Sequence, residues 1–324
     1  MTIGHIAAVA GVSRSTVSRA FSRPDLLRPE TVARVRAAAA DLGYVLNHAA
    51  RALSTGRFGN IAVVVPDIAN PFFPPLVRSV QSLADASGYE VFLGDSDETA
   101  EREAGLVSRL SAQVDGFVLA APRLDEERIR ELDAWRPTVL VNRDVDGLAR
   151  VLIEPKDGLE QAVRHLASLG HRRVAYLAGP RESWSDGRRR QVLESAAAAS
   201  RLELEVVELG RPSADAGRGA IPVVRASGVT AVIAFDDVVA QGALTELAAQ
   251  GVRIPDELSL IGCDDTLAAG TSPALTTISA ASAEAGRTAA HVLLDVLSTG
   301  RRTQERVTIA TRLVLRATTA PPPR

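Results

Sequence analysis

Two kinds of hydrophobic spacing divide the chain. Before residue 43, apolar residues recur every three or four positions, which predicts short amphipathic helices. From Ile61 onward, short apolar runs alternate with longer helical stretches. That alternation is typical of βαβ units, in which parallel sheets are covered on both faces. The sequence therefore predicts a small helical head followed by a large α/β core.

The first two predicted helices of the head meet at a sharp corner. Apolar residues within positions 3–10 form one face of the first helix. Gly11 then breaks the pattern, as expected of a residue that tolerates positive φ at a tight turn. Ser13 is placed to cap the second helix. A third helix is predicted at about residues 30–42, ended by Gly43.

The second helix has one apolar and one polar face. Val17, Ala20 and Phe21 point to one side, and serines and arginines occupy the other. Such a face is typical of a recognition helix whose first residues enter the DNA major groove. An ordinary pair of helices with a polar outer face is the alternative that this pattern leaves open. The candidate DNA-contacting residues here are Ser13, Arg14, Ser15, Thr16, Ser18 and Arg19.

Residues 47–59 lack an apolar core of their own and end in a glycine-rich stretch. A helix of one or two turns is not stable alone in water. This segment is therefore either a flexible linker or a helix that forms only when something packs against it.

The core is predicted to hold two similar α/β lobes, because its strands fall into two sets of about five. The predicted strands are 61–65, 90–93, 116–120, 138–141 and 151–153, then 174–178, 204–207, 231–234, 258–262 and 275–278. Helices are expected between them, for example at 74–87, 102–113, 158–169, 187–200 and 238–250. Ligands of open parallel sheets bind beyond the carboxyl ends of the strands.

Polar and aromatic residues follow these strand ends, which suits a polyhydroxylated ligand. The stretches concerned are 66–67, 70–73, Asp95, 142–143, 181–190, 236–237 and 264–265. Helix capping is the alternative for the two aspartate pairs, above all for the second member of each. A solvated helix face is the alternative for two of the three arginines at 188–190.

Composition and charge refine this picture. The 324 residues are 46% hydrophobic and 23% charged, which excludes global disorder. Residues 1–59 carry eight arginines and three acidic residues, whereas the remainder carries 29 basic and 36 acidic residues. A basic head on an acidic body indicates that the head meets a polyanion.

Several classes of protein are disfavoured. A single cysteine, Cys263, cannot form an internal disulfide, and the five histidines show no metal-ligand spacing. No metal or cofactor is predicted. No apolar run approaches a membrane span, and no secretory signal is visible, so we expect a cytoplasmic protein. No Walker loop, Gly-x-Ser-x-Gly or strand-linked GxGxxG motif is present, which disfavours an enzyme.

Several stretches together resemble the lac-repressor-type (LacI/GalR) family of bacterial transcription regulators over essentially the whole chain. Each stretch is weakly specific, but their common order is highly specific. They are residues 10–19, 42–44, 47–53, 65–73, 165–173, 262–265 and 273–278.

The resemblance implies three parts. These are a helix-turn-helix DNA-binding domain at 1–46, a hinge helix and linker at 47–59, and an effector-binding and dimerisation core at 60–324. The core would resemble type I periplasmic sugar-binding proteins, with two doubly wound parallel-sheet lobes. The expected N-lobe comprises about 60–157 and 282–308, and the expected C-lobe about 158–281 and 309–324.

The resemblance also assigns site residues. Tyr44, Asn47 and Ala50 would join the DNA-binding set, and Leu53 would wedge into the minor groove. Effector contacts are implied for Phe72, Phe73, Asp157, Arg189, Asp236 and Asp264, and strand-end position adds Asp95. The chain departs from the family where Asp236 replaces the usual Asn and where Ala120 and Ala280 replace polar residues. Trp184 is a candidate to supply an aromatic face for ligand stacking, which the departing positions lack.

These observations predict a homodimeric repressor that binds a pseudo-palindromic operator and responds to a sugar or sugar derivative between its lobes. A solute-binding protein that shares the core fold is the alternative. The basic head and the missing signal peptide disfavour that alternative.

Overall fold

The computed structural model describes residues 2–22, 24–44 and 57–323. The chain divides into two compact units, Met1–Gly59 and Asn60–Arg324. We call the helical part of the first unit the head and the second unit the core.

The head is a three-helix arrangement in its described residues. Its helices are α1 (Ile3–Ala10), α2 (Arg14–Ser22) and α3 (Pro29–Asp41), with a 3-10 turn at Pro24–Leu26. Gly11 ends α1 with φ of +64°, which confirms the predicted left-handed corner. The side chains of Ile6, Val17 and Val35, one from each helix, are fully buried together.

The core contains the alternating elements that the sequence predicts. Its strands are β1 (Asn60–Val65), β2 (Glu90–Asp95), β3 (Gly116–Ala120), β4 (Thr138–Val141), β5 (Ala149–Glu154), β6 (Arg173–Ala178), β7 (Glu203–Glu208), β8 (Ala231–Ala234), β9 (Ser259–Asp264), β10 (Thr276–Ser279), β11 (Arg306–Ala310) and β12 (Arg312–Val314). Its helices are α4 (Phe73–Ala86), α5 (Ala100–Leu110), α6 (Glu126–Trp135), α7 (Lys156–Leu169), α8 (Trp184–Ser200), α9 (Ala214–Ser227), α10 (Asp237–Ala249) and α11 (Ser282–Thr299).

The strands form two six-stranded sheets with the same order of their first five strands. The N-lobe sheet runs β11-β5-β4-β3-β1-β2, and every pairing in it is parallel. The C-lobe sheet runs β12-β10-β9-β8-β6-β7, with β12 antiparallel to β10. Sequence reasoning missed β11 and β12. Both are edge strands, and β11 has a single buried residue while β12 has none, so they carry no buried apolar run.

Each sheet is buried on both faces. In β1, Ile61, Val63 and Val65 pack against α4 and α11, whereas Ala62 and Val64 pack against α5 and α6. The C-lobe is built in the same way, with α9 and α10 on one face and α7 and α8 on the other. Burial on both faces explains the continuous apolar runs.

The chain crosses between the lobes three times. It leaves the N-lobe after β5, returns between β10 and α11, and crosses again between β11 and β12. Thr311 joins two of these crossings, because its hydroxyl donates to the carbonyl of Glu154 and accepts from the amide of Gly158. A side chain at Gly158 would collide with Thr311, so this crossing requires a residue without Cβ.

Candidate functional site: a polar helix face and an inter-lobe cleft

Helix α2 presents a polar surface opposite its buried face. Arg14, Ser15 and Arg19 are exposed, whereas Val17 and Ala20 are buried. Thr16 and Ser18 are half-buried between the two faces. The side chains that the sequence predicts to meet DNA are therefore displayed on one helix.

Ser13 caps the start of α2, as the sequence predicts. Its hydroxyl accepts a 3.1 Å hydrogen bond from the amide of Thr16, and its Oγ lies 2.8 Å from the hydroxyls of Ser15 and Thr16. This cap satisfies one of the amides at the helix start that have no partner within the helix. The first turn of the proposed recognition helix is thereby fixed.

The remaining candidates of the first unit divide into two groups. The half-buried ring of Tyr44 packs on Phe21, with 6.2 Å between the ring centroids, so Tyr44 also contributes to the core of the head. Asn47, Ala50, Leu53 and most of the expected hinge helix lie outside the described residues.

A cleft between the lobes collects residues from the carboxyl ends of strands in both sheets. Its two walls lie close together, and the space that a water-sized sphere can occupy between them is about 40 Å³. The N-lobe residues that line it are Asn70, Phe72, Phe73, Glu98, Ala121, Arg123 and Asn142. The C-lobe residues are Ser183, Ser185, Arg189, Pro212, Phe235, Asp236 and Asp264.

Arg189 and Asp264 meet on the C-lobe wall of the cleft. Nη2 of Arg189 lies 3.5 Å from Oδ1 of Asp264, and Nη1 donates to the carbonyl of Phe235. The guanidinium also lies 4.5 Å from the centroid of the Phe235 ring. That ring packs directly on Gly179, where a Cβ would approach it to 2.5 Å.

Burial shifts the acid–base equilibrium of the Arg189–Asp264 pair. Desolvation raises the pKa of Asp264 well above its usual value, although Arg189 opposes the shift. The backbone of Asp264 has φ of +108°, which L-residues rarely adopt. A buried carboxyl on a strained strand end is typical of a ligand site rather than of a simple turn.

In the aspartate pair at 236–237, the first member rather than the second caps the helix. The first member, Asp236, caps α10 by accepting a 2.8 Å hydrogen bond from the amide of Val239. Asp237 instead accepts from the Thr277 hydroxyl and from the amides of Thr266 and Leu267. The capping alternative therefore does not hold for Asp237, because its carboxylate binds Thr277 of β10 and the loop that follows β9.

Asp236 also reaches across the cleft. Its Oδ2 accepts a 3.0 Å hydrogen bond from the side-chain amide of Asn70 in the N-lobe. Burial raises the pKa of Asp236 to about 6, against the lowering effect of its hydrogen bond with Val239 and of Arg189. The Asp236 carboxyl thus caps α10, bonds across the cleft to Asn70 and lines the candidate ligand site.

Two aromatic rings form the apolar part of the N-lobe wall. Phe72 and Phe73 are both buried, and their rings pack edge to face with centroids 5.0 Å apart. Asn70 fixes this turn, because its side-chain carbonyl accepts from the amide of Phe72. The predicted Phe pair therefore lies in the cleft.

Three predicted effector residues are not brought to the cleft. The Asp95 carboxylate accepts from the amides of Ile68 and Asp97, so it shapes the loops after β1 and β2. Asp157 is exposed in the first turn of α7. Trp184 begins α8 outside the lining, while its neighbours Ser183 and Ser185 face the cleft.

The arginine run at 188–190 was expected to be mostly a solvated helix face. Arg188 instead pairs with Glu154 of the N-lobe at 3.1 Å. Arg190 pairs with Asp186 and, at 2.7 Å, with Glu208. Only Arg189 faces the cleft, and the other two hold α8 in place.

Sequence reasoning missed the Glu98–Arg123 pair on the N-lobe wall. Nη2 of Arg123 lies 2.6 Å from Glu98, and the two side chains are 5% and 11% exposed. Each residue is three positions beyond the end of its strand, in a stretch without an obvious motif. The strand-end rule, applied further along each loop, is the signal that would have found them.

The described residues offer neither a metal site nor a membrane-spanning helix. No group of three or more His, Cys, Asp or Glu side chains there is placed to hold a metal ion. No helix in those ranges has the length and apolar character needed to cross a bilayer.

A three-helix head with an exposed arginine-bearing helix, followed by two doubly wound lobes around a polar cleft, defines a ligand-responsive DNA-binding protein. Comparison with known proteins agrees. Residues 2–47 match the lacI family of bacterial regulatory proteins, and residues 163–319 match the periplasmic binding protein-like domain.

Relatives match the chain over nearly its full length. The HTH-type transcriptional regulator CelR of Thermobifida fusca is 33% identical over 97% of both chains. The HTH-type transcriptional repressor CytR of Escherichia coli is 32% identical over 91% of this chain and 89% of its own. The chain therefore belongs to the LacI family of bacterial transcription regulators.

Solved structures extend the likeness to the fold. A lac repressor dimer bound to operator and the anti-inducer ONPF superposes with a TM-score of 0.86, at 28% identity and 99% coverage of both chains. A complex of the regulator CelR with cellobiose gives 0.72 at 29% identity, covering 98% of this chain and 99% of that one.

Proposed function

We propose that the protein is a homodimeric transcriptional repressor in the cytoplasm, without catalytic activity, whose affinity for operator DNA is set by a small polar effector bound in the cleft. The observation that carries the proposal is the cleft itself. Buried Arg189, Asp236 and Asp264 converge there with two Phe rings, in a chain that also carries a basic helix-turn-helix head. This combination supports effector-controlled DNA binding.

The dimer follows from the DNA-binding geometry. One recognition helix reads one half-site, so a pseudo-palindrome requires two copies of the chain. The lac repressor that resembles this chain is a dimer on its operator. We infer the same assembly here.

The effector acts through lobe closure. A ligand that binds the closed cleft more tightly than the open one shifts the population of the two arrangements. The residues that join head to core would fold on DNA only in one of these arrangements.

DNA binding is tested with the full chain against genomic fragments, in gel-shift and footprinting assays. Replacing Arg19 by Ala should cost about 1–3 kcal/mol at the operator and relax preference at one base pair per half-site. Arg36→Ala is the matched control, because Arg36 is exposed on α3 rather than on the proposed recognition helix. Unchanged operator selectivity of Arg19→Ala would contradict the recognition-helix assignment.

The effector is sought by thermal-shift screening of sugars, sugar derivatives and nucleosides, because a ligand of the folded core raises its stability by mass action. A true effector must also change operator affinity. A chain that binds a sugar and selects no DNA sequence would instead be a solute-binding protein.

A further inference from the structure

Arg123 is a buried cation on the N-lobe wall of the cleft. Its Nε donates to Oε2 of Glu98 at 2.8 Å, its Nη2 lies 2.6 Å from the same oxygen, and its Nη1 donates to the carbonyl of Ala121 at 2.8 Å. A guanidinium has five N–H donors, so two of them are left for another partner. Because Arg123 lines the cleft, that partner can be a ligand.

The loops that hold this pair are tightly constrained. Glu98 has φ of +61° and its amide donates to the carbonyl of Pro66 at 2.8 Å. Ala121 has φ of +46° and its amide donates to the carbonyl of Val141 at 2.7 Å. Glu98 and Ala121, which bind the guanidinium, are thus held in place by backbone hydrogen bonds. They present Arg123 to the cleft in one orientation.

The opposite wall repeats the arrangement. There Arg189 pairs with Asp264, and these side chains are 11% and 6% exposed. Each lobe therefore offers one buried arginine that contacts an acidic side chain of the same lobe. Arg211 of the C-lobe, next to the lining residue Pro212, pairs instead across the lobes, with Asp97 at 2.6 Å and Asp67 at 3.7 Å.

The formal charges of the lining decide which ligands this cleft accepts. Arg123 and Arg189 are balanced by Glu98 and Asp264, and Asp236 adds one more carboxylate. In the described part of the chain, no cation of the lining is without an acidic partner. A phosphate or carboxylate would have to displace those carboxylates or lie beside them. Displacement breaks an ion pair, and close approach brings like charges together in a site from which water is excluded.

Building on the proposed function, we propose that Arg123, held by Glu98, is a specificity-determining residue of the cleft. With its remaining N–H donors it binds oxygen atoms of an uncharged polar ligand. Together with the Arg189–Asp264 pair it rejects ligands that carry phosphate or carboxylate groups.

Inorganic phosphate tests this directly, measured by thermal shift and calorimetry on the full chain against sodium chloride of equal ionic strength. The wild type should show no phosphate binding that depends on Arg123. Glu98→Gln removes the balancing charge and should bind phosphate on the order of tenfold more tightly or better, because charge-assisted hydrogen bonds then form. The double variant Glu98→Gln, Arg123→Gln should lose that gain. Any binding of phosphate to the basic head contributes equally in all variants, so it cancels when the variants are compared.

Glu101→Gln is the matched control, because it removes one negative charge from an exposed position on α5, near Glu98 in sequence. If Glu98→Gln does not fold, phosphate binding by the wild type compared with Arg123→Gln still tests Arg123, and Asp264→Asn tests the Arg189 part of the proposal. Phosphate binding by the wild type that Arg123→Gln abolishes would overturn the proposal. So would the absence of a gain in Glu98→Gln, or an equal gain in Glu101→Gln. Operator binding is measured in parallel, so failure of the DNA-binding function is seen separately.

Discussion

The side-chain amide of Asn70 donates a 3.0 Å hydrogen bond to Oδ2 of Asp236, and this bond joins the two lobes across the cleft. The acceptor is a buried carboxyl that also caps α10. A hydrogen bond to a charged group contributes about 1.5–3 kcal/mol, so this contact is strong enough to bias lobe closure.

Replacing Asn70 by Ala should therefore open the ligand-free core. The population of the closed arrangement should fall by about tenfold or more, because a loss of 1.4 kcal/mol is a factor of ten. Small-angle scattering should show a larger radius of gyration. Asn60→Ala is the control, since the side-chain amide of Asn60 donates within the N-lobe, to the carbonyl of Gln113. An unchanged radius for Asn70→Ala would show that other contacts hold the lobes together.

Glu103 should make the core less stable as pH rises. Burial raises the pKa of this carboxyl from 4.5 to about 7, against hydrogen bonds from the amides of Arg123 and Leu124. Between these two values the folded protein holds a proton that the unfolded chain has released. The stabilisation is therefore complete below about pH 4.5 and is lost as pH rises through 7, an effect of about 3 kcal/mol.

The variant Glu103→Gln retains a side-chain carbonyl for the two amides and cannot ionise. Urea unfolding at pH 5 and pH 8 should show a smaller loss of stability for this variant than for the wild type. Glu101→Gln, exposed on the same helix, should behave like the wild type. Parallel pH profiles for Glu103→Gln and wild type would remove Glu103 as the cause.

Arg189 and Asp264 should be needed for the effector response and dispensable for DNA binding. Both face the cleft and belong to the core rather than to the head. Arg189→Ala and Asp264→Asn should each abolish the response while leaving effector-free operator affinity nearly unchanged, because a ligand acts only through its differential affinity for two arrangements. Calorimetry with the identified effector measures the binding itself.

The control for this pair is Arg164→Ala, because Arg164 is exposed on α7 and pairs with Glu160 of the same helix. It should respond to effector normally. Wild-type effector affinity in either Arg189→Ala or Asp264→Asn would remove that residue from the binding site.

Leu53 lies outside the described residues, and its role remains a prediction from the sequence. An apolar side chain in a short segment without its own core needs an external partner, and wedging between base pairs supplies one. Leu53→Ser should weaken specific operator binding much more than non-specific binding, and should reduce operator bending in circular-permutation assays. Equal losses for both kinds of DNA would favour a plain linker.

Local signals found the parts of the molecule that local physics controls. Gly11 and Ser13 marked the corner and the cap of the head because positive φ and helix capping depend on a few neighbouring residues. The strand-end rule placed Phe72, Phe73 and Arg189 in the cleft, since buried parallel strands are continuous apolar runs and their ends are easy to read.

The same rule failed where loops change direction after a strand. Asp95 is the last residue of its strand, and its carboxylate turns inward to bind loop amides. Glu98, three residues later, reaches the cleft. The direction of such a side chain depends on contacts with residues distant in the chain, and the spacing of residues carries no information about those contacts.

The sequence by itself determined the helix-turn-helix head, the two repeating α/β lobes and the edge of the sheets at which a ligand would bind. Hydrophobic periodicity and turn chemistry depend on neighbouring residues, so they can be recognised without knowledge of the fold. Only the tertiary structure decided that Asp236 rather than Asp237 caps α10 and bonds to Asn70, and that Arg123 is neutralised by Glu98. Those pairs join residues up to 166 positions apart, and only the packing of whole lobes brings their charges together.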